Sequence, residues 1–88
     1  MNNTGKIETV ILGIPANIRP CSPGVMVEIV GNGQSEDELN RVATRVGLRL
    51  GGLSEIPDHP GASHIRLIHL KSAMFAQVTC DLLARMED

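Results

Sequence analysis

The side chains able to do chemistry are few and scattered along the chain. Cys21 stands in Pro20-Cys21-Ser22-Pro23, close after Arg19, where a nearby cation would favour a thiolate. Nucleophilic catalysis by that thiol needs a base within hydrogen-bond reach, and His59, His64 and His69 are all remote from it in sequence. Asp58-His59-Pro60-Gly61 holds an adjacent carboxylate–imidazole pair. Its proline and glycine make it a turn first, and a site only if Cys21 or Ser22 folds against it. His64 and His69 differ by an odd number of residues, so on a strand they point to opposite faces and cannot share one metal ion. Cys21 and Cys80 are too few for a disulfide framework. These residues complete no catalytic or metal-ligating set, and the sequence assigns no catalytic residue, metal or cofactor.

Two further groups could hold an anion. Gly31-Asn32-Gly33-Gln34-Ser35 precedes a helix start, where backbone N–H groups can cradle phosphate. No lysine follows it, and Glu36, Asp37 and Glu38 fill the first helical turn, where their charge would repel the ligand. Arg41 and Arg45 lie one helical turn apart, with Arg49 next if the helix continues. That ridge could meet phosphates or an acidic partner, although Asp37 is placed to pair with Arg41 at i,i+4.

Composition narrows the classes further. The 88 residues carry a net charge of −2, 42% hydrophobic residues, no Trp or Tyr and one Phe. This is the composition of a single globular domain spanning residues 1–88. A mildly acidic chain is no phosphate-seeking or polybasic membrane protein. The near absence of aromatic rings removes the stacking platforms that sheet-face RNA readers use. No apolar run approaches membrane-spanning length, and residues 1–6 lack the apolar core of a secretion signal. A cytoplasmic, reduced protein is expected. The Asn2-Asn3-Thr4 glycosylation sequon has no meaning there.

These residues must be positioned by a small set of elements. Residues 6–14 are rich in β-branched types and predict a strand ended by Gly13 and Pro15. Residues 15–24 contain Pro15, Pro20 and Pro23 and read as a loop. Residues 24–31 are a second strand. Ser35 three before Glu38 is a capping box, and Leu39, Val42, Ala43 and Val46 form one apolar stripe, which places a helix from Ser35. Its end is set at Gly47, since a glycine inside a helix costs about 1 kcal/mol relative to alanine, with residues 48–53 as a short strand. The alternative continues the helical stripe through Leu50 and Leu53. Residues 54–62 read as a loop, 63–70 as a strand, and 71–87 as a second helix with Phe75, Val78, Leu82 and Met86 on one face.

The expected fold is therefore α+β: a ββαββα two-layer sandwich with a mostly antiparallel sheet and both helices on one face. It is a ferredoxin-like arrangement, permuted by the leading strand. If residues 48–53 are helical, it becomes ββαβα with three strands. With Val25, Val27 and Ile29 facing the helices, Met26, Glu28 and Val30 face away. On the last strand Ile65 and Leu67 are expected inward, and His64, Arg66, Ile68 and Leu70 outward. The outer face would then mix apolar and charged side chains, as an interface does. Ala76, Cys80 and Ala84, with Ala73, add a small-residue stripe on the second helix.

The function these features favour is a non-enzymatic protein-binding domain, an adaptor or stoichiometric inhibitor. It would be homodimeric through the open sheet face or the small face of the second helix. Alternatives are a ligand-sensing regulatory domain with its site at a dimer seam, and nucleic-acid binding through Arg41, Arg45 and Arg49. The partner expected is another protein or a second copy. Nucleic acid is disfavoured, and no membrane is expected.

Overall fold

The computed structural model describes residues 5–85, with side chains described as far as Leu82. The elements are β1 (Ile7–Ile11), β2 (Ile14–Pro20), β3 (Val25–Val30), α1 (Glu36–Leu50), β4 (Ser54–Glu55), β5 (Ile65–Leu70) and α2 (Phe75–Arg85). A single 3-10 turn, Ala62–His64, precedes β5. All four strand pairs are antiparallel, in the order β1-β2-β3-β5-β4. The result is a small α+β fold with a five-stranded open sheet and two helices, compatible with a two-layer sandwich.

The strand β2 occupies the segment expected to be a loop. Its inward residues Ile14, Ala16 and Ile18 are buried, alternating with Pro15, Asn17 and Arg19. The two-residue turn Leu12–Gly13 has both φ angles positive, 52° and 86°, which suits a tight hairpin. In such a hairpin Ile11 and Ile14 form a hydrogen-bonded pair, so alternate residues of β2 bond β1 and β3 in turn. The missing N–H of Pro15 then faces β3 one step past the Ala16–Ile29 pair. That of Pro20 faces β1 two residues past the Ile7–Ile18 pair. Each proline costs no ladder bond because its absent donor falls beyond the end of a ladder.

The helix α1 begins as expected: the amide of Glu38 donates to Ser35 Oγ at 3.2 Å. It runs through Gly47 to Leu50 and ends on Gly51, whose φ is 81°. Gly47 is buried, and a Cβ there would sit 2.9 Å from the carbonyl oxygen of Gly52. The amide of Gly52 donates to Gly47 O at 2.8 Å. The glycine lets the returning chain fold against the helix, and that contact outweighs its poor propensity. Residues 48–53 are accordingly not a strand, and the short edge strand β4 follows them.

The parity expected on β5 is reversed. Arg66, Ile68 and Leu70 are buried, whereas Ile65, Leu67 and His69 are half-exposed on the other face. Pairing sets this, because Val25 stands opposite Leu70, Val27 opposite Ile68 and Ile29 opposite Arg66, and directly opposed residues share a face. The 2.6 Å bond from Gly31 N–H to His64 O continues the same ladder. The first strand sends Ile7, Thr9 and Ile11 inward.

One core cluster joins Ile11, Ile18, Val27, Ile29 and Ile68 of the sheet to Leu39, Val42 and Val46 of α1 and Val78 and Leu82 of α2. Phe75 packs against it half-buried, and α2 starts there rather than at Lys71. Met86 and residues 1–4, including the Asn2-Asn3-Thr4 sequon, lie outside the described residues, as does the side chain of Ala84.

Candidate functional site

The sheet face away from the helices carries Met26, Glu28 and Val30, all half-exposed as the alternation of β3 predicts. Arg66, Ile68 and Leu70 do not join them, since all three are at most 4% exposed. Their places on the outer face are taken by Ile65, Leu67 and His69, which the sequence reading missed. The signal was ambiguous, because both parities of Ile-Arg-Leu-Ile-His-Leu carry two aliphatics and one polar residue.

Strand pairing orders this face into rows. Val10 stands opposite Pro15 and Val30 opposite Ile65, and Pro15 meets Val30 one step beyond Ala16–Ile29. An apolar row thus crosses four strands. Beside it runs an acidic row: Glu8 opposite Asn17, Asn17 opposite Glu28, Glu28 opposite Leu67, and Leu67 opposite Glu55. Asn17 Nδ2 donates to Glu28 Oε1 at 3.0 Å, which holds that carboxylate on the surface. A third row joins Arg19, Met26 and His69.

Arg66 lies under α1 with 1% exposure. Its Nε donates to Asn40 Oδ1 at 2.9 Å and its Nη1 to the carbonyls of Ser63 and Ile65. Nη2 is buried without a hydrogen-bond partner. The guanidinium therefore ties the 3-10 turn to the second turn of α1 through neutral acceptors, a structural role. His64, expected on a strand face, is exposed at the end of that turn.

Tertiary folding brings Cys21 close to His69, a pairing that sequence separation hid. Cys21 Sγ donates to Pro23 O at 3.4 Å, and His69 Nε2 lies 2.9 Å from the same oxygen. A carbonyl only accepts, so Nε2 carries the proton, and in the neutral ring Nδ1 is the basic nitrogen. The nitrogen turned toward the shared carbonyl cannot take the thiol's proton, and the pair is not arranged as nucleophile and base. Asp58 and His59 are exposed before the start of β5, at the opposite end of that strand from His69. Both cysteines are free thiols. Among the described residues no group of three or more His, Cys, Asp or Glu could hold a metal ion.

Arg41, Arg45 and Arg49 are exposed along one side of α1, since the helix continues to Leu50. Asp37 and Asn40 border the same shallow groove as Arg41 and Arg45. Ala76 and Cys80 are exposed on α2. A cleft of about 580 Å³ opens between the end of α1 and the end of β5, lined by Leu50, Leu53, Glu55, His69, Lys71 and Ser72. No described helix is long and apolar enough to cross a membrane.

Compared with known proteins, the chain matches no family model, no curated protein and no solved structure.

Proposed function

We propose that this chain is a non-enzymatic protein-binding domain, an adaptor or stoichiometric inhibitor, that docks its partner on the outer sheet face. The observation carrying this reading is the apolar row Val10, Pro15, Val30 and Ile65, set beside Leu67 and Met26 on a face that the helices leave open. A sheet face meant only for water alternates cleanly to polar residues, and Val10 keeps 59% of its surface exposed. The adjoining acidic row of Glu8, Glu28 and Glu55 favours a partner with aliphatic side chains flanked by Lys or Arg. In fold terms, β4 is reached from β3 through α1, with β5 lying between them, and this split βαβ order supports a ferredoxin-like grouping extended by β1 and β2.

Affinity capture from native extract with mass spectrometry, run in parallel for the natural chain and for Val30→Glu with Leu67→Glu, tests the reading. The natural chain should retain a partner that the double variant loses, with unchanged thermal stability. Identical prey for the two proteins would sink it.

A second reading rests on the cleft, where Glu55, His69, Lys71 and Ser72 offer charged and hydrogen-bonding groups beside Leu50 and Leu53. That mixture suits a small polar ligand and a regulatory, ligand-sensing role. Thermal-shift screening with amino acids and nucleotides would raise the melting temperature if it holds, and Lys71→Ala would abolish the rise.

A further inference from the structure

We infer that the β1 edge of the sheet pairs with β1 of a second copy of this chain, antiparallel about Thr9, to make one continuous ten-stranded sheet. The starting point is the contrast between the two edges. Proteins protect sheet edges with very short strands, prolines, bulges or charges that turn pairing away. The β4 edge is protected in this way, being two residues long between Gly51-Gly52 and Pro57. The β1 edge is five residues long, contains no proline, and pairs with β2 in unbroken register; its one charge, Glu8, is offset by Lys6 at 3.8 Å.

The hydrogen-bond directions of β1 follow from its hairpin. Ile7, Thr9 and Ile11 pair with Ile18, Ala16 and Ile14 and turn their backbone groups to β2, since the residues flanking a two-residue turn form a hydrogen-bonded pair. Glu8 and Val10 therefore direct their N–H and C=O groups outward along the open edge. An added strand would use those four groups.

The sequence Ile7-Glu8-Thr9-Val10-Ile11 commits the edge to its own copy. Its inward residues are symmetric about Thr9, with isoleucine at both ends, whereas the outward positions hold Glu8 and Val10. A two-fold axis through Thr9 sets Glu8 against Val10 of the partner as hydrogen-bonded pairs and Ile7 against Ile11 of the partner. Thr9 meets Thr9 of the partner, a favourable cross-strand pair. The register engages all five residues, extends the apolar layer across the seam, and keeps the two Glu8 carboxylates out of direct opposition. A closed two-fold contact of this kind does not grow into fibres, because it uses up the edge. The outer face stays open in this dimer, so the pairing is independent of the partner-docking reading above.

The test uses the full chain with Cys21→Ser and Cys80→Ser. In a non-hydrogen-bonded antiparallel pair the Cα atoms are about 4.5 Å apart, within disulfide range. Thr9→Cys should thus form a disulfide-linked dimer on mild oxidation, whereas Glu8→Cys, which faces Val10 of the partner, should not. Light scattering on the natural chain should show the mass doubling from low to high micromolar concentration. Val10→Pro, which removes an outward N–H and no bond to β2, should hold the mass at one copy with an unchanged circular dichroism spectrum. A single-copy mass at every concentration would overturn the proposal. So would equal cross-linking by Thr9→Cys and Glu8→Cys, or a dimer that survives Val10→Pro and is lost in Val30→Glu.

Discussion

Among the described residues Arg66 is the one charged side chain that is buried. A guanidinium at 1% exposure keeps its charge, since arginine is not deprotonated in proteins, so its stability rests on its acceptors. Nε and Nη2 share one edge of the group, the edge a carboxylate grips with two oxygens. Asn40 Oδ1 meets only Nε, and Nη2 is left unpartnered. Asn40→Asp supplies the second oxygen and a compensating charge at an exposed helical position. It should stabilise the fold by roughly 1 kcal/mol, read as a higher urea midpoint with an unchanged slope. A lower midpoint would show that the Asn40 amide makes a bond the carboxylate cannot replace. Arg66→Ala removes the tie to the Ser63 and Ile65 carbonyls and opens a void, and should cost about 2–4 kcal/mol in the same assay. The presence of these residues is plain in the sequence. Their association is not, because Asn40 and Arg66 are 26 residues apart and a charged residue on an amphipathic strand reads by default as solvent-facing.

The elements were legible in unequal measure. The start of α1 was readable because its signals are local: Ser35 caps it, acidic residues fill the first turn, and the apolar stripe has helical period. Its end was not, because helix propensity alone disfavours Gly47 and the compensating contact comes from Gly52 on the returning chain. That difference has a measurable sign. Gly→Ala inside a helix normally stabilises by up to about 1 kcal/mol. Here the new Cβ would stand 2.9 Å from a backbone oxygen, so Gly47→Ala should destabilise by about 1–2 kcal/mol in thermal or urea unfolding. A gain would mean that the turn at Gly51-Gly52 yields easily. The strand β2 was hidden by Pro15 and Pro20. Both sit where a donor is dispensable, a property of ladder position that residue type does not carry.

For the molecule as a whole, the arrangement of faces decides what can be bound. With β1 pairing through alternate residues, amide exchange should be slow at Ile7, Thr9 and Ile11 and fast at Glu8 and Val10 in dilute solution. Slowing of Glu8 and Val10 at high concentration would accompany self-association through that edge. Uniform protection along β1 would instead mean that its outward groups are already bonded within one copy. The outer face joins residues from β1, β2, β3 and β5 into rows. Single outward charge substitutions such as Met26→Glu should leave stability within about 0.5 kcal/mol, whereas Ile68→Glu, which buries a carboxylate in the core, should prevent folding, read by circular dichroism.

Residue order along the chain settles whatever depends on near neighbours. It set the α+β class, the first helix with its cap, and the outward placement of Met26, Glu28 and Val30. The tertiary structure decided which face of β5 is buried, because Ile-Arg-Leu-Ile-His-Leu is equally apolar in both parities and only its pairing with β3 breaks the tie. It also decided that a proline-bearing segment is a strand, that Gly47 belongs inside a helix, and that Cys21 and His69 share one carbonyl. In each case the physical reason is the same. The energy that settles the matter comes from contacts between segments far apart in sequence, and local propensity holds no record of them.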